Sequence, residues 1–476
     1  MKKVLLFLVA TVLLSAQAFA KKTRVACIGN SITYGAFIQD RDKWSYPAQL
    51  QAYLGDDYEV RNFGVNGATL LSKGDNPYIK TNEYRQALEF KPDIVLIKLG
   101  TNDSKSQNWG HKAEFLNDYQ SIIDTFRALD SQPRIILLTP LRCFTPDNDP
   151  ISSRIIAREV RPMVEEMAYR NKLEIINMHN VVADTWDPTL MPDHLHPSAK
   201  GAGLMALKIY KHLTIDAEPD TQHPSASTQP FYKQGAKQFN FHGFTGYEFV
   251  DDEGTVCRVV EPRVVANGRP WLWRARFWDF EPQTDIDLLE RGYHIAYCDV
   301  AELFGSPRAV ARWNAFYKRM AKAGFSRKMA LEGMSRGGLI IYNWAAKNAD
   351  KVACIYADAP VMDIKQWPMI SGSADEKKRM LEAYGFANDD EARAWQANPV
   401  DHARAISKGH FPILHVVGDS DEGVTYRNNT KIFEEQMRAL GTPIQVIHKP
   451  ATGHHPHSLS CPKPIVDFIL HAMNQP

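Results

Sequence analysis

Apolar residues fall in short, nearly continuous runs, separated along most of the chain by stretches with a helical period. In the first half the runs are TRVACIG (23–29), YEVRNFG (58–64), DIVLIKLG (93–100), RIILLTP (134–140) and LEIINM (173–178). In the second half they are WLWRARFW (271–278), YHIAYCDV (293–300), KMALEG (328–333), KVACIYADA (351–359), PILHVVG (412–418) and IQVIHK (444–449). Short runs that stay apolar at most positions predict strands buried on both faces. Their alternation with helical patterns predicts parallel sheets covered by helices, an α/β architecture formed twice over.

One segment breaks the alternation. DAEPDTQHPSASTQP (216–230) has no apolar periodicity and is rich in Pro, Ser, Thr and acids, the composition of an exposed linker. No internal repeat relates its two sides, and 476 residues are long for one domain. Two different domains with independent cores are therefore predicted, at 21–215 and 231–476. The first residues, MKKVLLFLVATVLLSAQAFA, have a basic start, an apolar stretch and a small-x-small ending, Ala18-Phe19-Ala20, and read as a secretory signal over 1–20. The apolar stretch is shorter than the roughly 20 residues of a spanning helix. Cys27 lies beyond the place a lipoprotein needs its cysteine. The expected destination is the periplasm or the medium, without membrane insertion once the signal is removed.

Composition changes this picture little. A 44% hydrophobic and 23% charged chain is that of a soluble globular protein. A net charge of +1 offers no electrostatic footprint for nucleic acid or an acidic membrane surface. The six cysteines (27, 143, 257, 298, 354 and 461) match no zinc spacing. Export permits disulfides, but several cysteines lie within apolar runs, so buried thiols and bridges both stay open. Nothing here fixes an oligomeric state.

Ligands of open parallel sheets bind beyond the carboxyl ends of the strands. Ser31 follows the first run, Asn66-Gly67 the second, Gly100-Thr101-Asn102-Asp103 the third, and DHLHP (193–197) precedes the closing helix near Gly201. A serine hydroxyl becomes a nucleophile when a histidine takes its proton and an acid orients that histidine. Asp193 and His196 are residues of those types. Small residues and an amide side chain at strand ends can supply oxyanion donors. Singly, GTND is also a turn, and DHLHP is also a helix entry or a metal pair. Their occurrence in order at successive strand ends favours a hydrolase.

These blocks resemble an SGNH (GDSL-type) hydrolase over about residues 22–215. The resemblance implies a flavodoxin-like three-layer sandwich, with Ser31 of GNSITYG as nucleophile and Asp193 and His196 completing a triad. It also implies oxyanion donors at Ser31, Gly67 of NFGVNGAT and Asn102 of GTND. Asn30 stands where that family usually has aspartate.

The second domain makes a parallel case. ALEGMSRGGLIIYNWAA (330–346) sets Ser335 between a strand and an amphipathic helix. Gly333 and Gly337 lie two before and two after it, as the crowded turn of a nucleophile elbow requires. An acid and then a histidine follow, in VVGDSDEGV (416–424) and PATGHHPHSL (450–459). This order resembles the α/β-hydrolase fold of the prolyl-oligopeptidase-like esterase type over about 235–473. That family's Gly-x-x-Asp-x-x-Val context is met by Gly418, Asp421 and Val424, which points to Asp421 over Asp419. A histidine directly after a glycine points to His454 over His455. The backbone N–H of Arg336 is implied as one oxyanion donor, and a second is expected from around WLWRARFWDF (271–280), where no familiar His-Gly occurs.

His454, His455 and His457 also admit a metal reading, but no carboxylate lies beside them at a helical ligand spacing. No metal and no cofactor is expected. The aromatic run Trp271, Trp273, Phe277, Trp278 and Phe280 is either strand core or a platform for a sugar ring. The Ser335-Arg336 pair also resembles glucuronoyl esterases, whose substrates are uronic-acid esters. The Arg336 guanidinium is then either a substrate contact or half of a structural ion pair.

Exported proteins that pair these two domains resemble carbohydrate esterases of glycan-degrading bacteria. The implied function is a bifunctional esterase with two Ser-His-Asp triads, acting on an acylated poly- or oligosaccharide and on no nucleic acid. The alternatives are a sialate O-acetylesterase or another lipase- or thioesterase-like hydrolase, and a single-site esterase whose other domain only binds glycan.

Overall fold

A computed structural model describes residues 21–218 and 230–474. The signal peptide expected over 1–20, and residues 219–229 of the expected linker, lie outside the described residues.

In the first domain, strands β1 (Thr23–Gly29), β2 (Tyr58–Gly64), β3 (Ile94–Lys98), β4 (Arg134–Leu138) and β5 (Glu174–Ile176) form one sheet in the order β2-β1-β3-β4-β5. Every pair is parallel. The whole of β3 is buried, as its unbroken apolar run requires of a strand covered on both faces. Parallel pairing collects the carboxyl ends at one edge, and the order reverses between β1 and β3, the place where such sheets hold ligands. Ser31 leaves β1 and Asn102 follows β3 at that point.

The second sheet holds β6 (Lys237–Phe241), β7 (Phe244–Val250), β8 (Val256–Glu261), β9 (Trp271–Ala275), β10 (His294–Cys298), β11 (Met329–Met334), β12 (Val352–Asp358), β13 (Ile413–Gly418) and β14 (Gln445–Lys449). Its order is β14-β13-β12-β11-β9-β10-β8-β7-β6. From β14 to β10 the pairs are parallel, whereas β10–β8, β8–β7 and β7–β6 are antiparallel. The expectation of purely parallel sheets thus fails at this edge. These three strands are short and half-exposed, and their polar positions keep them from reading as continuous apolar runs.

The cores are not independent either. One buried cluster includes Val164 and Met167 of the first domain together with Phe241, Phe244, Ile465 and Ile469 of the second. Beside it, the Asn177 N–H donates to Glu290 Oε1 (2.5 Å), and the partly buried Lys208 pairs with Asp287 (2.7 Å) and Glu290 (3.0 Å). Apolar faces left uncovered by each sandwich are buried against the other domain, a juncture that a polar linker in the sequence does not reveal. All six cysteines are free thiols among the described residues. No described helix is long and apolar enough to cross a membrane.

Candidate active site

Ser31 opens a single helical turn (Ser31–Tyr34) directly after β1. Asn30 caps that turn, its Oδ1 accepting the Ile32 N–H at 3.1 Å, and this fixes the backbone on which the serine sits. His196 Nε2 lies 2.9 Å from Ser31 Oγ, and His196 Nδ1 lies 2.7 Å from Asp193 Oδ2. The other Asp193 oxygen accepts the N–H groups of Leu195 (3.1 Å) and His196 (2.6 Å). Burial alone raises the Asp193 carboxyl, but the hydrogen bonds from His196 and Leu195 outweigh it and hold the pKa below its ordinary value. The carboxylate stays ionised and keeps the imidazole proton on Nδ1, so Nε2 faces the serine as an acceptor.

Gly67 has φ +74°, a conformation open to glycine at little cost. The Asn102 amide donates one N–H to the carbonyl of Ala68 (3.0 Å). Its second N–H is the one an oxyanion would receive. Buried Asp103 accepts the N–H groups of Leu70 (3.0 Å) and Leu71 (2.8 Å), which ties the Gly67 loop to the loop after β3. Burial pushes Asp103 up to about 6, against those bonds. The site opens into a cleft of about 680 Å³ lined by Phe37, Ile38, Trp44, Pro192, Asp193 and His196 among others. The Phe37 ring, 86% exposed, stands edge-on to His196 at 5.0 Å.

Lys98 belongs to none of the sequence motifs, although a lysine ending an apolar run is a signal. Lys98 is fully buried, with Nζ 3.5 Å from Asn30 Oδ1. Burial pushes its pKa from the ordinary 10.5 down to about 7, slightly offset by Cys143. The unfolded chain therefore binds a proton that the folded chain lacks between about pH 7 and 10.5, and stability rises with pH across that window. We expect Lys98→Met to flatten this rise and to stabilise the protein at pH 7, since it removes an unpaired buried amine. Thermal melts of both proteins at pH 7 and pH 10 check it, and a variant that melts lower at pH 7 refutes it.

The second site is built on the turn after β11. Ser335 has φ +49°, a strained value for a residue with a side chain. The turn leaves no room at its glycines. A Cβ on Gly333 would meet the Gly337 carbonyl carbon at 2.9 Å, and one on Gly337 would meet the Ala275 carbonyl oxygen at 2.6 Å. His454 Nε2 lies 2.9 Å from Ser335 Oγ, and its Nδ1 lies 2.7 Å from Asp421 Oδ2. Asp421 Oδ1 accepts the N–H groups of Gly423 and Val424, both at 2.9 Å. Burial raises the Asp421 carboxyl, yet His454 and these N–H groups together hold it below its ordinary value. The neighbouring Asp419 pairs with His448 instead (2.6 Å). His457 pairs with Asp358 (2.6 Å), and the His455 ring stands 5.0 Å from that of His454.

Arg336 follows Ser335 at the start of helix Gly337–Ala345. Its guanidinium meets Glu376 (3.2 Å) and Glu302 (3.5 Å) and lies over the ring of Trp367 (4.9 Å). The ion pair that the sequence left open for this side chain is thus formed, with two acidic partners. The aromatic run divides. Trp271 and Trp273 are fully buried, with Trp273 stacked on Trp313 at 4.0 Å, whereas Phe280 is 40% exposed and faces His455 at 5.8 Å.

Two seryl–imidazole–carboxylate chains on α/β sheets, one after a strand–turn and one on an elbow, define a serine hydrolase. Residues 27–204 match the GDSL-like lipase/acylhydrolase family, and residues 313–474 match the prolyl oligopeptidase family. The chain therefore carries a GDSL-like lipase/acylhydrolase domain followed by a prolyl-oligopeptidase-family α/β-hydrolase domain. It is similar to an acetylxylan esterase of Xylanibacter ruminicola, 43% identical over 200 residues. That alignment covers 38% of this chain and 41% of the relative, so the chain spans about two fifths of that protein's length. Among solved structures, Est1E from Butyrivibrio proteoclasticus is 15% identical, with a TM-score of 0.35, covering 50% of this chain and 99% of that one. The dipeptidyl peptidase 4 of Porphyromonas gingivalis is 14% identical, with a TM-score of 0.39, covering 50% of this chain and 35% of that one.

Proposed function

We propose that this protein is an exported, bifunctional carbohydrate esterase that removes acyl groups, O-acetyl foremost, from plant or host glycans at two Ser-His-Asp triads. The observation that carries the reading is the pair of unbroken hydrogen-bond chains, Asp193–His196–Ser31 and Asp421–His454–Ser335, each linked at 2.7 and 2.9 Å. The similarity to a protein named acetylxylan esterase supports the substrate class. The open cleft beside His196, lined by exposed Phe37 and Trp44, suits a sugar chain with apolar ring faces.

At each site the serine Oγ attacks the ester carbonyl as its proton passes to Nε2 of His196 or His454. The carboxylate on Nδ1 stabilises the imidazolium. Gly67, Asn102 and the Ser31 N–H at the first site, and the Arg336 N–H at the second, receive the oxyanion. The imidazolium then protonates the departing sugar hydroxyl, leaving an acyl-enzyme. Water, deprotonated by the same histidine, releases the acid and restores the serine.

Release of acetate and methanol from acetylated xylan, pectin and O-acetylated sialic acid, compared among wild type, Ser31→Ala, Ser335→Ala and the double variant, tests the proposal. Each single variant should lose a different activity and the double variant should lose all. A single variant without any activity removes bifunctionality, and preference for sialic acid over xylan replaces the substrate class. Prolonged chelation should leave both activities standing, since neither step uses an ion. Activity lost to a chelator and restored by zinc would overturn the mechanism.

A further inference from the structure

Three histidines crowd the second site, and the proposed mechanism uses one of them. The rings of His454, His455 and His457 stand 4.8–5.0 Å apart, and one nitrogen from each lies within 4.8 Å of the other two. Two of the three are oriented alike. His454 Nδ1 faces Asp421 at 2.7 Å, and His457 Nδ1 faces Asp358 at 2.6 Å. Asp358 is itself fixed, accepting the Ser458 N–H (2.8 Å) and the Tyr356 hydroxyl (3.2 Å). A carboxylate on Nδ1 keeps the proton there and turns the Nε2 lone pair outward, the arrangement that orients metal-bound histidine.

The triad accounts for this tautomer in His454 but not in His457. The His457 side chain is fully buried, and its Nε2 has no hydrogen-bond partner. Buried acceptors are normally satisfied. His457 belongs with His454 and exposed His455 to one cluster in which a ring nitrogen of each lies within 4.8 Å of the others.

We propose that His454, His455 and His457 form a site for Zn²⁺, or a divalent metal of the same borderline class, whose occupation switches the second active site off. Three neutral imidazoles suit such an ion. With Zn–N bonds of about 2.0–2.1 Å, the nitrogens close to about 3.4 Å from one another and leave a fourth position for water. The cause of inhibition is direct competition for one lone pair. His454 Nε2 cannot bind the metal and accept the proton of Ser335 Oγ, which now lies 2.9 Å away. No bond other than coordination forms, and the ion's removal restores the base. The switching half of the proposal rests on the reading of Ser335 and His454 as a catalytic pair; the binding half does not.

Calorimetry with Zn²⁺ alone, on full-length Ser335→Ala, tests binding without any need for catalysis. We expect one site, retained or tightened because the competing hydroxyl is gone. Adding His455→Gln, at an exposed position, should weaken that site by about 100-fold or more, beyond the 10–100-fold typical of losing an outer-shell partner. Co²⁺ distinguishes this site from the other potential cluster, Asp251, Cys257 and Cys298. Three nitrogen ligands give no thiolate-to-metal charge-transfer band. Absence of binding, indifference to His455→Gln, or a thiolate band overturns the site. For switching, full-length Ser31→Ala leaves the second site to report alone. Zn²⁺ should inhibit it, a chelator should relieve it, and His455→Gln should keep its turnover while resisting Zn²⁺. Binding without inhibition overturns the switch. A Ser31→Ala protein with no activity on any ester overturns the catalytic reading and leaves the calorimetric result to stand on its own.

Discussion

Ser31→Ala should lower acyl release at the first site by on the order of 10⁴-fold or more, and Ser335→Ala should do the same at the second. That loss corresponds to about 5.5 kcal/mol of barrier. In each variant the imidazole remains held by its carboxylate, Asp193 or Asp421, but nothing lies 2.9 Å from Nε2 to be activated. His196→Ala should match Ser31→Ala, because the residues of a triad act as a unit and their losses do not add. His194→Ala should be far milder. Its ring stacks on Trp186 at 4.1 Å, a contact on the rim of the loop and not in the proton path. The measurements belong on the full chain, since the domains share a buried cluster that a separated fragment would expose. Steady-state release of acetate by each variant, with folding checked by circular dichroism, decides the matter. A folded Ser31→Ala protein that keeps every activity at the wild-type rate sinks the first-site assignment, and the same result for Ser335→Ala sinks the second.

The fold was legible wherever local sequence and tertiary environment agree. Each of the eleven runs overlaps a strand; the central ones are apolar throughout because they are buried on both faces, whereas the edge strands β2 and β14 are partly exposed and carry polar residues. The antiparallel strands β6–β8 escaped notice because one face meets solvent, and alternation over five to seven residues is a weak signal. At the sites, the legible residues were those whose chemistry is tied to a backbone constraint. Gly333 and Gly337 sit where a Cβ has no room, and Gly67 sits at positive φ. Choosing between neighbours drew on family context alone. In space, Asp419 is engaged by His448 and His457 by Asp358, while Asp421 and His454 meet each other. What stayed illegible is what sequence distance hides. The pairing of Arg336 with Glu302 and Glu376, and the contact of Lys208 with Asp287 and Glu290, join residues with no shared pattern.

The largest expected effect on folding falls on a residue the sequence offered only as part of an aromatic stretch. Arg274, on β9, is buried to 1% exposure, between Asp285 and Glu332, with Glu332 at 3.1 Å. Its guanidinium also donates to the carbonyls of Phe277 (2.9 Å) and Phe280, holding a loop in which Arg276, Phe277, Asp279 and Glu281 all have positive φ. Burial raises both carboxyls, Glu332 to about 8, while Arg274 opposes the rise. Arg274→Met keeps most of the volume and removes the charge, so Asp285 is left buried without its partner. Breaking such a pair from one side costs about 3–5 kcal/mol, which lowers the melting temperature measurably. The loop held by Arg274 follows Ala275, whose carbonyl oxygen packs against Gly337 of the second site's elbow. Second-site turnover should therefore fall more than first-site turnover at temperatures where the variant is folded. Arg274→Lys should recover little, since an ammonium cannot hold two carboxylates and two carbonyls in one plane. Adding Asp285→Leu and Glu332→Leu to Arg274→Met should recover stability but not the loop, separating the two roles. Differential scanning calorimetry, with esterase assays on Ser31→Ala and Ser335→Ala backgrounds, measures both. A melting temperature within a degree of wild type, or equal losses at the two sites, would show that Arg274 neither anchors this core nor holds this loop.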